Sequence, residues 1–191
     1  NIQGFDASEH MLKALHARAE KLNLRPNASI DFIETFQSNH TYGLIFIPSG
    51  SFNLITDRAD VSHALRKFYD LLSPKGTLVI EIITLAATPK SPGTWRREKW
   101  ERPEGGFILA SSCEEPPFDN VNLTHCTHDL IIENKIVLSE KETFSIRLYS
   151  IQEFQQLLIA AGFSHIALRK AFDRNQHASP EDKDVIFECK K

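Results

Sequence analysis

The sequence predicts an α/β fold with a doubly wound sheet, built as one domain over residues 1–191. Two observations support this prediction. Amphipathic helical segments alternate with short strand segments through the first half of the chain. The strand segment at 44–47 is continuously apolar, which is typical of a parallel strand covered on both faces. A chain of this length can bury a sizeable core, so a single domain is the simplest organisation.

The first half, residues 1–85, follows the order strand, helix, strand, strand, helix, strand. Ser8 can cap the first helix, whose apolar residues recur at helical spacing, and Arg25-Pro26 ends that segment. The turn Pro48–Ser51 ends the apolar strand. In chain order we predict a strand ending near Asp6, a helix over 8–22, strands over 29–34 and 44–47, a helix from Asp60 to Leu72, and a strand over 77–83.

The middle of the chain, residues 86–149, changes in character. Residues 86–105 are rich in proline and glycine and contain both tryptophans, which predicts a loop or lid. Segments with strand-like patterns follow, so we expect an antiparallel insertion with strands over 107–112, 124–133 and 136–149.

The last part, residues 150–191, opens with a capping box. Ser150 and Glu153 can satisfy the first turn of a helix, and Gly162 ends it. Two final strands are predicted over 166–172 and 185–189, with a polar loop over 173–184 between them.

Composition argues against several classes of protein. The formal net charge is -3 and the pI is about 6.3, so neither nucleic acid nor an anionic membrane surface is expected as a main partner. The apolar runs are too short to span a bilayer. The three cysteines are far apart and odd in number, which predicts no disulfide framework and no zinc or other metal site. We therefore expect a cytoplasmic protein.

Asp6 is the first candidate functional residue. A carboxylate at the carboxyl end of a parallel strand, just before a helix, is suited to binding the two hydroxyls of a ribose. A simple helix cap is the alternative, but Ser8 already fills that role. The same arrangement would serve an NAD-dependent oxidoreductase.

Four segments together resemble the class I S-adenosylmethionine (SAM)-dependent methyltransferases, in particular the small-molecule branch. Each segment is weak alone, whereas their order and spacing are more specific. They are Gly4-Phe5-Asp6-Ala7-Ser8 with Met11-Leu12, Tyr42 to Phe46, Leu71 to Leu78, and Tyr149-Ser150 through Ala161-Gly162-Phe163.

The resemblance implies a Rossmann-like, mostly parallel sheet of seven strands whose last strand inserts antiparallel. It implies SAM as cofactor, with Asp6 on the ribose and Ala7 and Met11 against the adenine. The family often has an Asp after the third strand that meets the adenine amino group. Ile33 and Glu34 stand in that region here, and Glu34 is the expected substitute. Pro48, Ser49 and Gly50 would lie beside the methionine part, with Phe52 facing the acceptor.

The sequence contains no segment that matches the family's first strand and glycine-rich loop. The sequence is therefore expected to be a fragment of a longer protein, with loss of the cofactor as the alternative. An open slot in the sheet would expose two unpaired edges, which favours the fragment. If the sequence is such a fragment, we expect this chain to bind SAM poorly or not at all.

Acceptor contacts are expected from the insertion. Trp95 and Trp100 could form an aromatic wall or hold a cationic amine, or could simply anchor a loop on the core. His128 is a weak candidate for a general base. Arg147 and Tyr149 could reach an anionic acceptor, although a structural ion pair is an equal alternative for Arg147.

The leading functional hypothesis is methyl transfer from SAM to a small-molecule acceptor. The first alternative is a degenerate, non-catalytic domain of this type that binds proteins, and an NAD-dependent oxidoreductase is less favoured. The incomplete sheet also makes a homodimer conceivable.

Overall fold

The computed structural model describes residues 1–171, 173 and 175–191. It contains two compact units, Asn1–Thr41 and Tyr42–Lys191. Among the described residues, no helix has both the length and the apolar character needed to cross a membrane.

The first unit is a strand-helix-strand segment. Strand β1 (Gly4–Asp6), helix α1 (Glu9–Lys21) and strand β2 (Ala28–Ile30) follow in order. The two strands pair in parallel, from Gly4 opposite Ala28 to Asp6 opposite Ile30. The predicted helix over 8–22 is confirmed, because the Ser8 hydroxyl accepts from the amide of Met11 at 3.3 Å and caps it.

Among its described residues, the second unit contains two four-stranded sheets and two α-helices. Its elements in chain order are β3 (Tyr42–Ile47), α2 (Arg58–Leu71), β4 (Leu72–Ile83), β5 (Arg96–Glu101), β6 (Phe107–Glu114), β7 (Val121–Ile132), β8 (Lys135–Arg147), α3 (Ile151–Ala161), β9 (Ser164–Lys170) and β10 (Asp184–Lys190).

The first of these sheets has the order β3-β4-β10-β9. Strands β3 and β4 are parallel, whereas β10 runs antiparallel to both β4 and β9. The last strand is therefore inserted antiparallel, as the resemblance implied. One of the three strand pairs in this sheet is parallel and two are antiparallel, so the sheet is mixed.

The core lies between this sheet and the helices α2 and α3. Alternate residues of β4 and β10, such as Ile80 and Phe187, are almost fully buried on one face. Phe154 of α3 packs against Phe187 with ring centroids 5.2 Å apart. Val61 and Leu65 of α2 are buried as well, so the apolar stripe of this helix packs as its sequence predicts.

The second sheet is antiparallel throughout, with the order β5-β6-β7-β8. It confirms the predicted antiparallel insertion and adds a strand, since β5 lies inside the segment predicted as a loop. Every residue of β5 is exposed, and five of the six are Arg, Lys or Glu. Such a strand has no apolar alternation for a sequence pattern to detect.

Several boundaries differ from the prediction for local reasons. Helix α2 begins at Arg58 because Asp57, not Asp60, accepts from the amides of Ala59 and Asp60 and caps it. Strand β4 begins at Leu72, five residues early, with a register shift against β3. The predicted strand over 166–172 ends at Lys170, and Phe172 lies outside the described residues, as does Arg174 of the predicted polar loop.

Candidate functional site

Two carboxylates lie at the carboxyl end of the parallel pair β1–β2. Asp6 ends β1, and its Oδ1 accepts from the amide of Ser8 at 2.8 Å, so the side chain is oriented by the turn into α1. Asp31 directly follows β2, and its amide donates to the backbone oxygen of Asp6 at 3.2 Å. The two residues are therefore neighbours at one sheet edge, where ligands bind in open α/β sheets.

Asp31 was missed in the sequence because the strand was expected to run on to Glu34. The strand ends at Ile30, and Asp31 Oδ1 then accepts from the amide of Phe32 and the hydroxyl of Thr35, both at 2.8 Å. An Asp therefore does directly follow this strand. An Asp directly after a short strand, where Asp favours a turn, was the available signal.

The other predicted adenine contacts lie near these carboxylates in the chain. Ala7 is exposed, and Met11 is 61% exposed, so Met11 is not part of the core that α1 buries. Ile33 is half-buried and Glu34 is exposed in the turn after Asp31.

The turn after β3 has an unusual backbone. Ser49 and Gly50 both adopt left-handed conformations, with φ of 57° and 63°. The hydroxyl of Ser51 donates to the carbonyl oxygen of Pro48 at 2.9 Å and closes the turn. Because a left-handed conformation strains a residue other than glycine, Ser49 needs support from its surroundings.

Glu81 of β4 supplies that support. Its Oε2 accepts from the amide of Ser49 at 2.9 Å, across the parallel pair β3–β4. A Cβ atom at Gly50 would lie only 2.6 Å from two carbon atoms of Ile83, so the turn also sits directly on β4. Glu81 is the one charged residue within the predicted strand 77–83, and that was the signal that could have singled it out.

Asn53 holds the short 3₁₀ turn Ser51–Leu54 against two strand ends. Its Nδ2 donates to the carbonyl oxygens of Ile83 at 2.9 Å and Arg147 at 2.6 Å, and its Oδ1 accepts from the amide of Ile83 at 3.0 Å. Asn53 has no exposed surface. This side chain therefore fixes the carboxyl end of β4, next to the turn after β3.

Arg147 is buried and committed to protein acceptors. Its Nε donates to the carbonyl oxygen of Thr56 at 2.6 Å, and its terminal nitrogens bind the backbone and carboxylate oxygens of Asp119 at 3.0 and 3.3 Å. Hydrogen bonds from Arg58 and Arg147 lower the pKa of Asp119. With 5% of its surface exposed, Arg147 fits the structural ion pair better than an acceptor contact.

Tyr149 and Phe52 are also buried. Tyr149 is 1% exposed, burial raises its pKa, and its hydroxyl has no hydrogen-bond partner among the described residues. Phe52 has no exposed surface and packs edge-on against Phe154, with centroids 5.6 Å apart. The structure therefore places Phe52 in the core instead of on an acceptor pocket.

The aromatic and histidine candidates of the insertion lie on or next to the antiparallel sheet. Trp95 directly precedes β5, Trp100 lies on β5 and His128 lies on β7. Trp95 and Trp100 are 52% and 61% exposed, so neither anchors the segment in the core. His128 is half-buried on β7. By strand alternation His125 faces the other way, and its ring nitrogens contact Glu115 and Thr143 at 2.8 and 3.1 Å.

Comparison with known proteins gives a fold but no sequence relative. No protein-family model matches the chain, and no curated protein matches it. Among solved structures, a SAM-dependent methyltransferase from Clostridium acetobutylicum matches with a TM-score of 0.82 at 14% identity, over 97% of this chain and 73% of that one. The chain has the fold of the SAM-dependent methyltransferases.

Two further methyltransferases of this fold are similar. A sugar N-methyltransferase from Streptoalloteichus has a TM-score of 0.72 at 17% identity, over 99% of this chain and 70% of that one. A SAM-bound amino pentose methyltransferase from Micromonospora echinaspora has a TM-score of 0.72 at 16% identity, over 100% of this chain and 74% of that one.

The candidate cofactor-binding residues form two groups in this fold. Asp6 and Asp31 are neighbours at the end of β1–β2, and the turn with Ser49 and Gly50 follows β3. Among the described residues, no group of three or more His, Cys, Asp and Glu side chains is suited to hold a metal ion.

Proposed function

We propose that this protein transfers a methyl group from SAM to a small-molecule acceptor. The observation that carries the proposal is the pair of carboxylates, Asp6 and Asp31, held at the carboxyl end of a parallel strand pair. A fold alone hosts many functions, so the site must support the proposal. Two oriented carboxylates are acceptors for the hydroxyl and amino donors that an adenosyl group presents.

The proposed roles follow from the chemistry of each group. Asp6 accepts hydrogen bonds from the two ribose hydroxyls, and Asp31 accepts from the adenine amino group. Both use Oδ1 to bind their own local backbone, so each carboxylate is oriented before a ligand arrives. The proposed contacts with the adenine also include Ala7, Met11, Ile33 and Glu34.

Pro48, Ser49 and Gly50 are the proposed contacts for the methionine part of the cofactor. Their left-handed turn is braced by Glu81, which keeps the backbone in one conformation. Bound SAM supplies an activated methyl group for an in-line displacement, so the protein mainly positions the reactants and excludes water.

The acceptor side includes Trp95, Trp100 and Tyr149 as proposed contacts, with His128 as the proposed general base where the acceptor loses a proton. The similar structures include a sugar N-methyltransferase and an amino pentose methyltransferase, which supports a small polar acceptor. The same proposal includes a Rossmann-like, doubly wound sheet as the fold. It also includes a cytoplasmic location and assembly as a homodimer.

Calorimetric titration of SAM and S-adenosylhomocysteine into the full-length natural protein tests the function. We expect both to bind, and we expect Asp6→Asn to weaken binding about tenfold because one ionised acceptor is lost. Glu9→Gln, an exposed carboxylate three residues away, is the matched control and should change nothing. Absence of binding to either compound would refute the proposal.

A further inference from the structure

One face of the antiparallel sheet carries an apolar row between two charged rows. Strand alternation and the pairing register place four apolar side chains in one row across the sheet: Trp100, Ile108, Leu130 and Leu138. We call the side that carries this row the Trp100 face. Trp100 and Leu138 are 61% and 53% exposed, so both ends of the apolar row are open to solvent.

The two rows that flank the apolar row have opposite charge. Towards the C-terminal end of β8, the next row carries Glu98 and Glu140 at its two ends. Towards the β7–β8 turn, the next row carries Lys135 at one end. Arg102 lies at its other end, because the amide of Arg102 donates to the carbonyl oxygen of Gly106 at 3.1 Å and continues the register of β5. An acidic, an apolar and a basic row therefore follow one another along the strands.

The charged side chains of these rows are weakly engaged within the chain. Among the described residues, neither Lys135 nor Glu140 has an ion-pair partner. Glu98 accepts from the ring nitrogen of Trp100 at 3.4 Å, and Arg102 lies 3.6 Å from the carboxylate of the exposed Glu104. Surface contacts of this kind contribute little, so the charges are available to a partner protein.

We propose that a second copy of this chain packs on the Trp100 face, with a two-fold axis along the apolar row. Such an axis reverses the strand direction and keeps each strand over its counterpart, which gives two aligned sheets face to face. The basic row of one copy then lies over the acidic row of the other. Arg102 faces Glu98 of the partner subunit, and Lys135 faces Glu140 of the partner subunit.

The size of this contact fits a reversible dimer. Four strands about 4.8 Å apart and three rows about 7 Å apart give a patch that buries about 600 Å² on each copy. That area is at the lower end for specific interfaces, so we expect a dissociation constant in the micromolar range.

The opposite face of the sheet lacks this order of rows. Its apolar row contains Phe107 and Ile131, and its cations Arg97, Lys99 and Lys141 all lie on the same side of that row. A two-fold axis therefore brings no basic row over an acidic row there. The charge pattern favours a second copy on the Trp100 face alone.

The inference rests on the homodimer of the proposed function and names its interface. Trp100 and His128 lie inside that interface, and side chains covered by a second copy cannot also contact an acceptor. The dimer therefore competes with the proposed acceptor roles of these two residues and leaves methyl transfer from SAM unaffected.

Sedimentation velocity of the full-length natural protein, from about 1 to 100 µM, tests the dimer, and charge reversal tests its register. Glu140→Lys brings two pairs of like charges together, so it should raise the dissociation constant at least about tenfold, and Lys135→Glu should do the same. An equimolar mixture of the two variants should dimerise like the wild type, because each contact then joins a lysine to a glutamate.

Lys141→Glu is the matched control, because Lys141 follows Glu140 on β8 but lies on the opposite face. It should dimerise like the wild type. A monomer at about 100 µM would overturn the inference, as would normal dimerisation of both single variants or a mixture that stays monomeric. A dimer that only Lys141→Glu weakens uses the opposite face and overturns it as well.

A SAM titration on the same samples separates the two proposals. A monomer that binds SAM overturns this interface and leaves methyl transfer standing. A dimer with the expected response to charge reversal that binds no SAM supports the interface and refutes the proposed methyl transfer.

Discussion

Replacing Asn53 by alanine should destabilise the second unit strongly. The substitution removes the three hydrogen bonds that join the 3₁₀ turn to Ile83 and Arg147. Three backbone groups at a fully buried position then lose their partner, at about 1 kcal/mol each or more. We expect a loss of about 3 kcal/mol in the free energy of unfolding, which corresponds to about 6–12 °C in Tm.

A urea titration followed by far-ultraviolet circular dichroism measures this loss. Asn39→Ala, at an exposed position, is the control and should change stability by less than about 0.5 kcal/mol. Asn53→Asp keeps the size and the Oδ1 acceptor but cannot donate while ionised, so it should also destabilise. A loss below about 1 kcal/mol for Asn53→Ala would refute the assignment of Asn53 as the clamp of the β4 end.

Three further outcomes are expected. Gly50→Ala should cost about 2–4 kcal/mol in urea titrations, because its Cβ would meet Ile83 at 2.6 Å, whereas Gly93→Ala, with a similar φ and open space, should cost about 1 kcal/mol. Arg58 and Arg147 lower the pKa of Asp119, so its stabilising effect is present above the unfolded pKa and is lost as pH falls through the folded pKa. Asp119→Asn should therefore reduce the loss of stability in acid, and an unchanged acid profile would contradict this. Burial raises the pKa of Cys189 to about 12, so iodoacetamide at pH 8.5 should leave Cys189 unlabelled in the folded protein and label it in urea, as mass spectrometry can show.

The sequence predicts the elements that have strong periodicity or clear caps. Helix α1 is found within a residue of its prediction because Ser8 caps it, and α3 follows the capping box and ends at Gly162. Strand β10 inserts as the resemblance implied. Strand β5 could not be predicted, because an exposed charged edge strand is fixed by its pairing with β6 and not by burial.

The candidate site was less accessible from sequence than the fold. Asp6 was recognisable because it directly precedes a capped helix, whereas Asp31 was hidden by an overextended strand. Glu81 acts from a neighbouring strand, 32 residues from the amide that it binds, and no local pattern carries such a pairing. The burial of Phe52 and Arg147 likewise depends on helices and loops that are distant in the chain.

The three carboxylates of the candidate site share one physical feature. At each strand end a side-chain oxygen binds a backbone amide: Asp6 binds Ser8, Asp31 binds Phe32, and Glu81 binds Ser49. Such bonds fix the turns that follow the strands, so little ordering is left for a ligand to impose. If preorganisation of this kind governs cofactor affinity, Glu81→Gln, which keeps an acceptor oxygen, should bind SAM more tightly than Glu81→Ala. Equal affinity of the two variants would show that the brace on Ser49 serves stability alone.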